Sequence, residues 1–470
     1  MSESTGRMGP TQADPAATLS ADAQPRADRS EPPSAGTTRL SEWLRIRQDP
    51  LGMLESLRPL GDVVFLHAGA RKSYILMHPD HLKDVLITNH RKFSLGQAWQ
   101  EVSRLMGHGL LHSEGEFHKR QRRLMNPAFH HTRIASYTEQ MAQFADRMSS
   151  RWKHGQELDM HQQMMQLTLT VVSKTLFDID TERPEAAAFG AAVDAMIPLF
   201  RVGTPLQSML RKMRTSSTAS FDEIRAGIDR FIFQMIEERR RDYRDRGDLL
   251  SMLLLAQDEE GDGGSMTDEQ VRDEAVTLLA AGHETTSNAL SWTWHLLSEN
   301  PEPEAKLHAE LDRVLGGRLP TVEDLPNLPY TRKVMNESMR LFPPAWILNR
   351  QVVEEYEVDG HVLPVGAAVL LFPYLIHRDP RFWPEPTRFD PDRWTPEADA
   401  QRHKFAYVPF GAGPRMCIGE SFASMEIQVV VATLAQRWRP RPMPGQEVKA
   451  EPKINLRPKG GLPMVLEARS

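Results

Sequence analysis

The sequence predicts a mainly α protein with small β-sheets, folded as one domain. Three observations predict it. Apolar residues at helical spacing dominate the long middle of the chain. Short β-type runs are confined to the early residues and to the last third. No internal repeat and no second Pro/Gly-rich linker divides the chain after its N-terminal stretch.

Composition sets the outer bounds. The 470 residues are 40% hydrophobic and 26% charged, with a formal net charge of -6. That is ordinary globular composition with ample apolar material for a core. Mild acidity argues against nucleic acid as a partner. The one cysteine gives no sign of an oxidising compartment and fits the cytoplasm. No apolar run approaches the roughly 18–20 residues of a membrane helix, so no membrane anchor is expected. Residues 1–38 are rich in Ser, Thr, Ala, Pro and charge and lack an apolar h-region. They read as a disordered tail, leaving 39–470 as the folded domain.

Asp62 to Leu66 and Ser73 to Met77 read as strands, with Gly69 in the turn. Pro79 opens a helix that runs to about Asn89. Residues 94–113 hold Trp99, Val102, Leu105 and Met106. They fit either a functional loop or a surface helix with a buried stripe. In GEFHKRQRRLMNPAF, His118 and Arg122 are four apart and share a helix face. Lys119, Arg120 and Arg123 point elsewhere on that helix, as a solvated face or a docking surface. Residues 132–260 are mostly amphipathic helix. Pro198 and Gly203-Thr204-Pro205 interrupt it before a helix from about Ser220 to Tyr243, as a connection or a mobile lid.

Thr267 caps a helix that reaches about Asn300, on the order of 50 Å long. Such a helix must cross the middle of the domain. Within it lies AAGHETT. Gly282 costs about 1 kcal/mol against alanine there, which suggests a local need. Thr285 can bond back to a carbonyl four residues earlier and loosen the helix beside Glu284. A helix–helix contact at small residues is the plain alternative. Glu304 to Leu315 and Tyr330 to Leu341 are the next helices, and Glu337 and Arg340 in the second can pair. Pro343-Pro344 then forces extended chain through Trp346, Ile347, Leu348 and Arg350. Strands are expected at Val352–Val353, Tyr356–Val358 and Ala367–Phe372, with Gly460-Gly461 as a hairpin turn between Leu456 and Val465.

The stretch Phe410 to Gly419, FGAGPRMCIG, leads a glycine loop into a helix and carries Cys417. The helix N-terminus favours a thiolate, which serves as nucleophile, redox thiol or metal ligand. A lone cysteine excludes a disulfide within the chain and a paired-cysteine zinc site. A cysteine nucleophile with a distant histidine, and a buried structural cysteine, stay open.

Phe410, Gly413, Arg415, Cys417 and Gly419 fill every fixed position of F-x-x-G-x-R-x-C-x-G. The stretch resembles the haem-binding loop of cytochrome P450 enzymes. AAGHETT resembles the family's oxygen-activation motif through Ala281, Gly282, Glu284, Thr285 and Thr286. His118 and Arg122 match the bacterial form of the propionate-holding pair. Glu337 and Arg340 match the E-x-x-R pair, joined by Arg393 of FDPDRW, where Trp394 stands in place of the more usual Phe.

The resemblance implies the cytochrome P450 fold, with haem b between the long central helix and the cysteine-loop helix. It implies Cys417 as iron ligand, and Ala281, Phe410, Gly419, His118, Arg122, Arg350 and Arg415 as cofactor-binding residues. Glu284 and Thr285 would deliver protons. Trp99, Met106, Trp346, Ile347 and Leu348 would line an apolar pocket. The implied activity is that of a bacterial-type, cytoplasmic, monomeric monooxygenase. It would insert one oxygen atom of O2 into an apolar small molecule, with terpenoid or polyketide tailoring foremost. Electrons would come from a separate ferredoxin and ferredoxin reductase; charge placement makes Lys119, Arg120, Arg123, Arg402 and Lys404 the candidate contacts. The alternatives are a peroxide-driven or coupling member acting on a fatty acid or aromatic substrate, and a haem gas-binding protein.

Overall fold

A helical layer and a sheet layer meet along one central helix. The structure, a computed structural model, describes residues 32–35, 48–68, 71–96, 103, 106–179, 216–242, 244–258, 261 and 263–469. The principal helices are α1 (Pro50–Glu55), α2 (Pro79–Lys83), α3 (Gly115–Met125), α4 (Thr138–Ser149), α5 (Met160–Phe177) and α6 (Ser216–Arg241). They continue with α7 (Leu249–Leu255), α8 (Asp268–Glu299), α9 (Pro301–Val314), α10 (Pro329–Leu341) and α11 (Glu420–Leu434). Local chemistry sets their starts. Pro occupies the first turn of α1, α2, α9 and α10, where its missing N–H costs nothing. Asp159 caps α5 by accepting from the backbone N–H groups of His161 and Gln162. Thr267 and Gln270 form a reciprocal capping box at the start of α8. The expected helix from Pro79 keeps its length but changes pitch, passing into a π-turn at Asp84–Thr88.

The strands are β1 (Ser34–Ala35), β2 (Val63–Ala68), β3 (Arg71–Leu76), β4 (Phe93–Ser94), β5 (Glu157–Asp159), β6 (Leu348–Val352) and β7 (Tyr356–Val358). β8 (His361–Leu363), β9 (Ala368–Leu371), β10 (Trp438–Pro442), β11 (Ala450–Pro452), β12 (Leu456–Pro458) and β13 (Pro463–Ala468) follow. A six-stranded sheet has the order β1-β2-β3-β9-β6-β4. β1 pairs in parallel with β2, so the disordered segment expected through residue 38 does not extend to Ser34 and Ala35. Leu348 to Arg350, expected as irregular extended chain, belong to β6 and pair with β9.

Gly460-Gly461 is not the turn of a hairpin. β12 pairs with β11, whereas β13 pairs with β10 and β5 in another sheet. The glycines carry the chain between two sheets, with φ of 78° and 96°. A Cβ on Gly461 would lie 2.2 Å from Asp159 Oδ2. The interruption at Pro198 and Gly203-Thr204-Pro205 lies outside the described residues, as does Gly69.

α8 has 32 residues and spans about 48 Å. It packs against α5, α10 and α11, and its Val271, Ala275, Leu279 and Leu290 are buried in the helical core. A second buried cluster joins the sheet residues Val63, Tyr74, Leu76 and Val369 to Leu82 and Val85. The loop before α11 passes between the two. Among the described residues, no helix is long and apolar enough to cross a membrane.

Candidate functional site

The cysteine loop is shaped by two glycines in the left-handed region. Gly411 and Gly413 have φ of 69° and 72°. A Cβ on Gly413 would lie 2.0 Å from the Leu86 carbonyl oxygen at the end of the Pro79 helix. The close approach fixes where the loop stands against the sheet layer. Cys417 N–H donates to the Phe410 carbonyl at 2.9 Å and closes the loop. Gly419 then leads into α11; a Cβ there would sit 3.9 Å from the Cys417 sulfur.

Cys417 is exposed, yet it lies deep among protein atoms. Ala281 is likewise exposed, although it lies midway along the buried central helix. Both observations describe side chains on the wall of an internal chamber. From Pro409 to Ser421 the loop has no fully buried residue, although helices flank it. Burial pushes the Cys417 thiol up, outweighing the lowering by the Gly419 N–H and by Arg122, while Glu420 adds to the rise. The helix-terminus argument for a thiolate is therefore corrected: desolvation wins in the protein fold itself. A bound cation reverses that sign, because a coordinating thiol gives up its proton.

Four basic side chains converge near the loop. Arg122 of α3 donates to the Met416 carbonyl at 2.7 Å. Arg415 donates to the Ser113 carbonyl. Arg350 of β6 donates to the Asn349 carbonyl at 2.8 Å, and burial with the nearby Arg415 charge holds it at about 10. His118 is buried, and desolvation with Arg415 and Arg122 pushes it down to about 4. Arg415 itself is lowered by burial, with Glu114 opposing. Three partly buried, mutually repelling guanidinium groups beside a neutral imidazole suit a dianionic partner. The residues therefore fit haem: a soft sulfur ligand, a chamber, and cations matched to two propionates.

On α8 the Thr285 hydroxyl donates to the Ala281 carbonyl at 2.6 Å, the back-bond expected from the sequence. Glu284 is buried, and its Oε2 accepts from Asn455 Nδ2 at 2.8 Å. A Cβ on Gly282 would lie 3.2 Å from Val172, so glycine here relieves the contact with α5. Sequence reasoning missed Asn455; a hairpin residue 171 positions away leaves no local signal.

The Glu337 cluster assembles fully. Arg340 donates twice to Glu337, each at 2.8 Å, and Arg393 donates to it at 2.9 Å. Trp394 Nε1 at 3.0 Å and the Asp390 N–H at 2.9 Å add two more. The departure from phenylalanine thus supplies a donor to a fully buried carboxylate. Arg340 also reaches the carbonyls of His377, Pro386 and Arg388, so its fork fastens the chain before the cysteine loop.

Among the described residues, those expected to line an apolar pocket pack on different parts of the core. Trp99 lies outside the described residues. Met106 is buried in the helical core. Trp346 and Ile347 pack on a third cluster with Leu51, Ile75 and Phe372, while Leu348 packs on the sheet core. The Trp346 ring is held by its Nε1 bond to the Lys453 carbonyl at 2.9 Å. The expected partner contacts also divide. Arg123 pairs with Asp258 at 2.9 Å, Arg120 bonds the Gly264 and Ser265 carbonyls, and Arg402 pairs with Asp399 beneath Trp383. Lys119 and Lys404 are the exposed members, and Lys119 pairs with Glu116 at 2.5 Å.

The family profile described as Cytochrome P450 matches residues 40–463. Cyclooctatin synthase of Streptomyces melanosporofaciens is 41% identical over 433 residues, covering 91% of this chain and 93% of that one. Pentalenene oxygenase of Streptomyces avermitilis is 35% identical over 418 residues, covering 88% and 90%. The crystal structure of the cytochrome P450DA heme domain superposes with a TM-score of 0.83 at 25% identity, covering 93% of this chain and 98% of that one. With its cysteine loop, its Glu337 cluster and these matches, the chain belongs to the cytochrome P450 family.

Proposed function

We propose that this cytochrome P450 monooxygenase hydroxylates or epoxidises an apolar terpenoid in bacterial secondary metabolism, with haem b as cofactor. The observation that carries the reading is Cys417: a sulfur on a chamber wall, in a loop closed by glycines, below a cluster of cations. Relatives named cyclooctatin synthase, cyclooctat-9-en-7-ol 5-monooxygenase and pentalenene oxygenase support the substrate class.

Haem bound here would supply the oxidation of a C–H or C=C bond by O2. The protein's own residues do the rest. Cys417 would hold the metal through sulfur. Arg122, Arg350, Arg415 and His118 would hold the cofactor's carboxylates. Pairing with a carboxylate favours the charged form of His118, raising it from about 4. Ala281 and Gly282 keep the helix wall thin. Thr285 and Glu284 would move protons beside it, the hydroxyl fixed by the Ala281 carbonyl. The acid–hydroxyl pair favours a donor-driven reaction over a peroxide-driven one. Electrons come from a ferredoxin and its reductase, with exposed Lys119 and Lys404 as first contacts.

The test is spectroscopic and catalytic. The reduced carbon monoxide adduct is expected to show the red-shifted Soret band of thiolate ligation. Cys417→Ala is expected to abolish that band and all terpenoid oxidation. A wild-type spectrum lacking the band, or turnover surviving in Cys417→Ala, refutes the reading. Product from peroxide alone, with no stimulation by ferredoxin, reductase and O2, would favour the peroxide-driven alternative.

A further inference from the structure

Asn455 lies at the tip of the β11–β12 hairpin and is buried. Its carboxamide must donate to Glu284, since a carboxylate only accepts. The hairpin tip is fastened on both sides. Trp346 Nε1 donates to the Lys453 carbonyl at 2.9 Å, and Leu456 N–H donates to the Pro344 carbonyl at 2.9 Å. From the other side Trp292 of α8 donates to the Leu456 carbonyl at 3.0 Å. The tip therefore cannot shift without breaking bonds to both the Pro344–Trp346 segment and α8. Asn455 is the polar side chain that this brace delivers to Glu284.

We propose that Asn455 is a positioning residue for the acid: it holds the Glu284 carboxylate in one orientation and favours its ionised form. The hairpin ties that orientation to the Pro344–Trp346 segment. The proposal rests on the proton-delivery role given above to Glu284. A hydrogen bond to the charged form stabilises that form, and a buried donor fixed at three backbone points loses little freedom in making it. Removing the amide takes away the buried donor that the hairpin brings to the carboxylate, while the haem-binding side chains stay untouched.

The experiment is a double-mutant cycle in the full-length haem protein, using Asn455→Ala, Glu284→Gln and the pair. Asn455→Ala is expected to lower kcat by about three- to tenfold, a fraction of the full worth of one charge-assisted hydrogen bond. KM should change by less than about twofold, and the solvent isotope effect on turnover should rise. In the Glu284→Gln background the same substitution should change kcat by less than about twofold, because the partner is gone. The unfolding midpoint of the resting protein, measured without electron donor, should show the same non-additivity. Asn455→Gln, which keeps the amide donor, should recover part of the loss, whereas isosteric Asn455→Asp should not. Additive effects in both readouts overturn the positioning role and leave Glu284's role standing. Wild-type kcat and isotope effect in Glu284→Gln overturn both.

Discussion

Trp394 shows how one atom can settle a departure from a motif. Its ring lies between Trp383 and Tyr407, and its indole N–H bonds Glu337. Phenylalanine would keep the packing and leave one lone pair of a buried carboxylate without its donor. Trp394→Phe is therefore expected to destabilise the fold by about 1–3 kcal/mol, measured by denaturant unfolding. An unchanged midpoint would show that Arg340, Arg393 and the Asp390 N–H satisfy Glu337 without the indole. Thr285 is the opposite case. Its bond to the Ala281 carbonyl was legible from spacing, because a helix places residues i and i−4 together whatever surrounds it.

At the scale of elements, loops are held by contacts that carry testable costs. Gly413 allows the cysteine loop to touch the Leu86 carbonyl with φ at 72°. Gly413→Ala strains the backbone and drives a methyl into that oxygen. A loss of about 2–4 kcal/mol is expected, with weakened haem retention on gel filtration. A second loop, residues 107–110, is fastened to α8 by two acids. Asp273 accepts from His108 N–H at 2.7 Å, and Glu274 accepts from Leu110 N–H at 2.8 Å.

Burial, opposed by the Leu110 N–H and helped by Asp273, pushes Glu274 up to about 8. Between its unfolded value near 4.5 and about 8, the folded chain holds a proton that the unfolded chain has released. Stability from this group is thus full below the unfolded value and is lost as pH rises through about 8. The slope is at most about 1.4 kcal/mol per pH unit. Glu274→Gln keeps a carbonyl acceptor and removes the titration. Its unfolding midpoint relative to wild type should climb from about pH 5 to about pH 9; a constant difference would refute this.

For the whole molecule, α8 is the joint between the helical core and the sheet side. Trp292 stacks on Phe342 at 4.0 Å and 8° and bonds the Leu456 carbonyl, so one side chain spans helix, segment and hairpin. Trp292→Ala is expected to cost about 3–5 kcal/mol and to speed amide exchange across residues 450–458. Exchange limited to α8 would show that the hairpin stands on its own. Helix starts, the central helix and the order of motifs were legible because caps, periodicity and glycine loops act within a few residues.

β5 was not legible, since three residues become a strand only when β13 lies beside them. Nor was the division of Trp346 from Met106, which depends on which core each meets. The sequence by itself determined the family, and it placed the lone cysteine in a glycine loop and an acid beside a hydroxyl on the long helix, because each is a local pattern of residue types. Only the tertiary structure decided that Cys417 lies desolvated on a chamber wall, that Asn455 reaches Glu284, and that Arg120 and Arg123 are already occupied. Burial and pairing between distant residues are properties of the packed chain, and no short stretch of it encodes them.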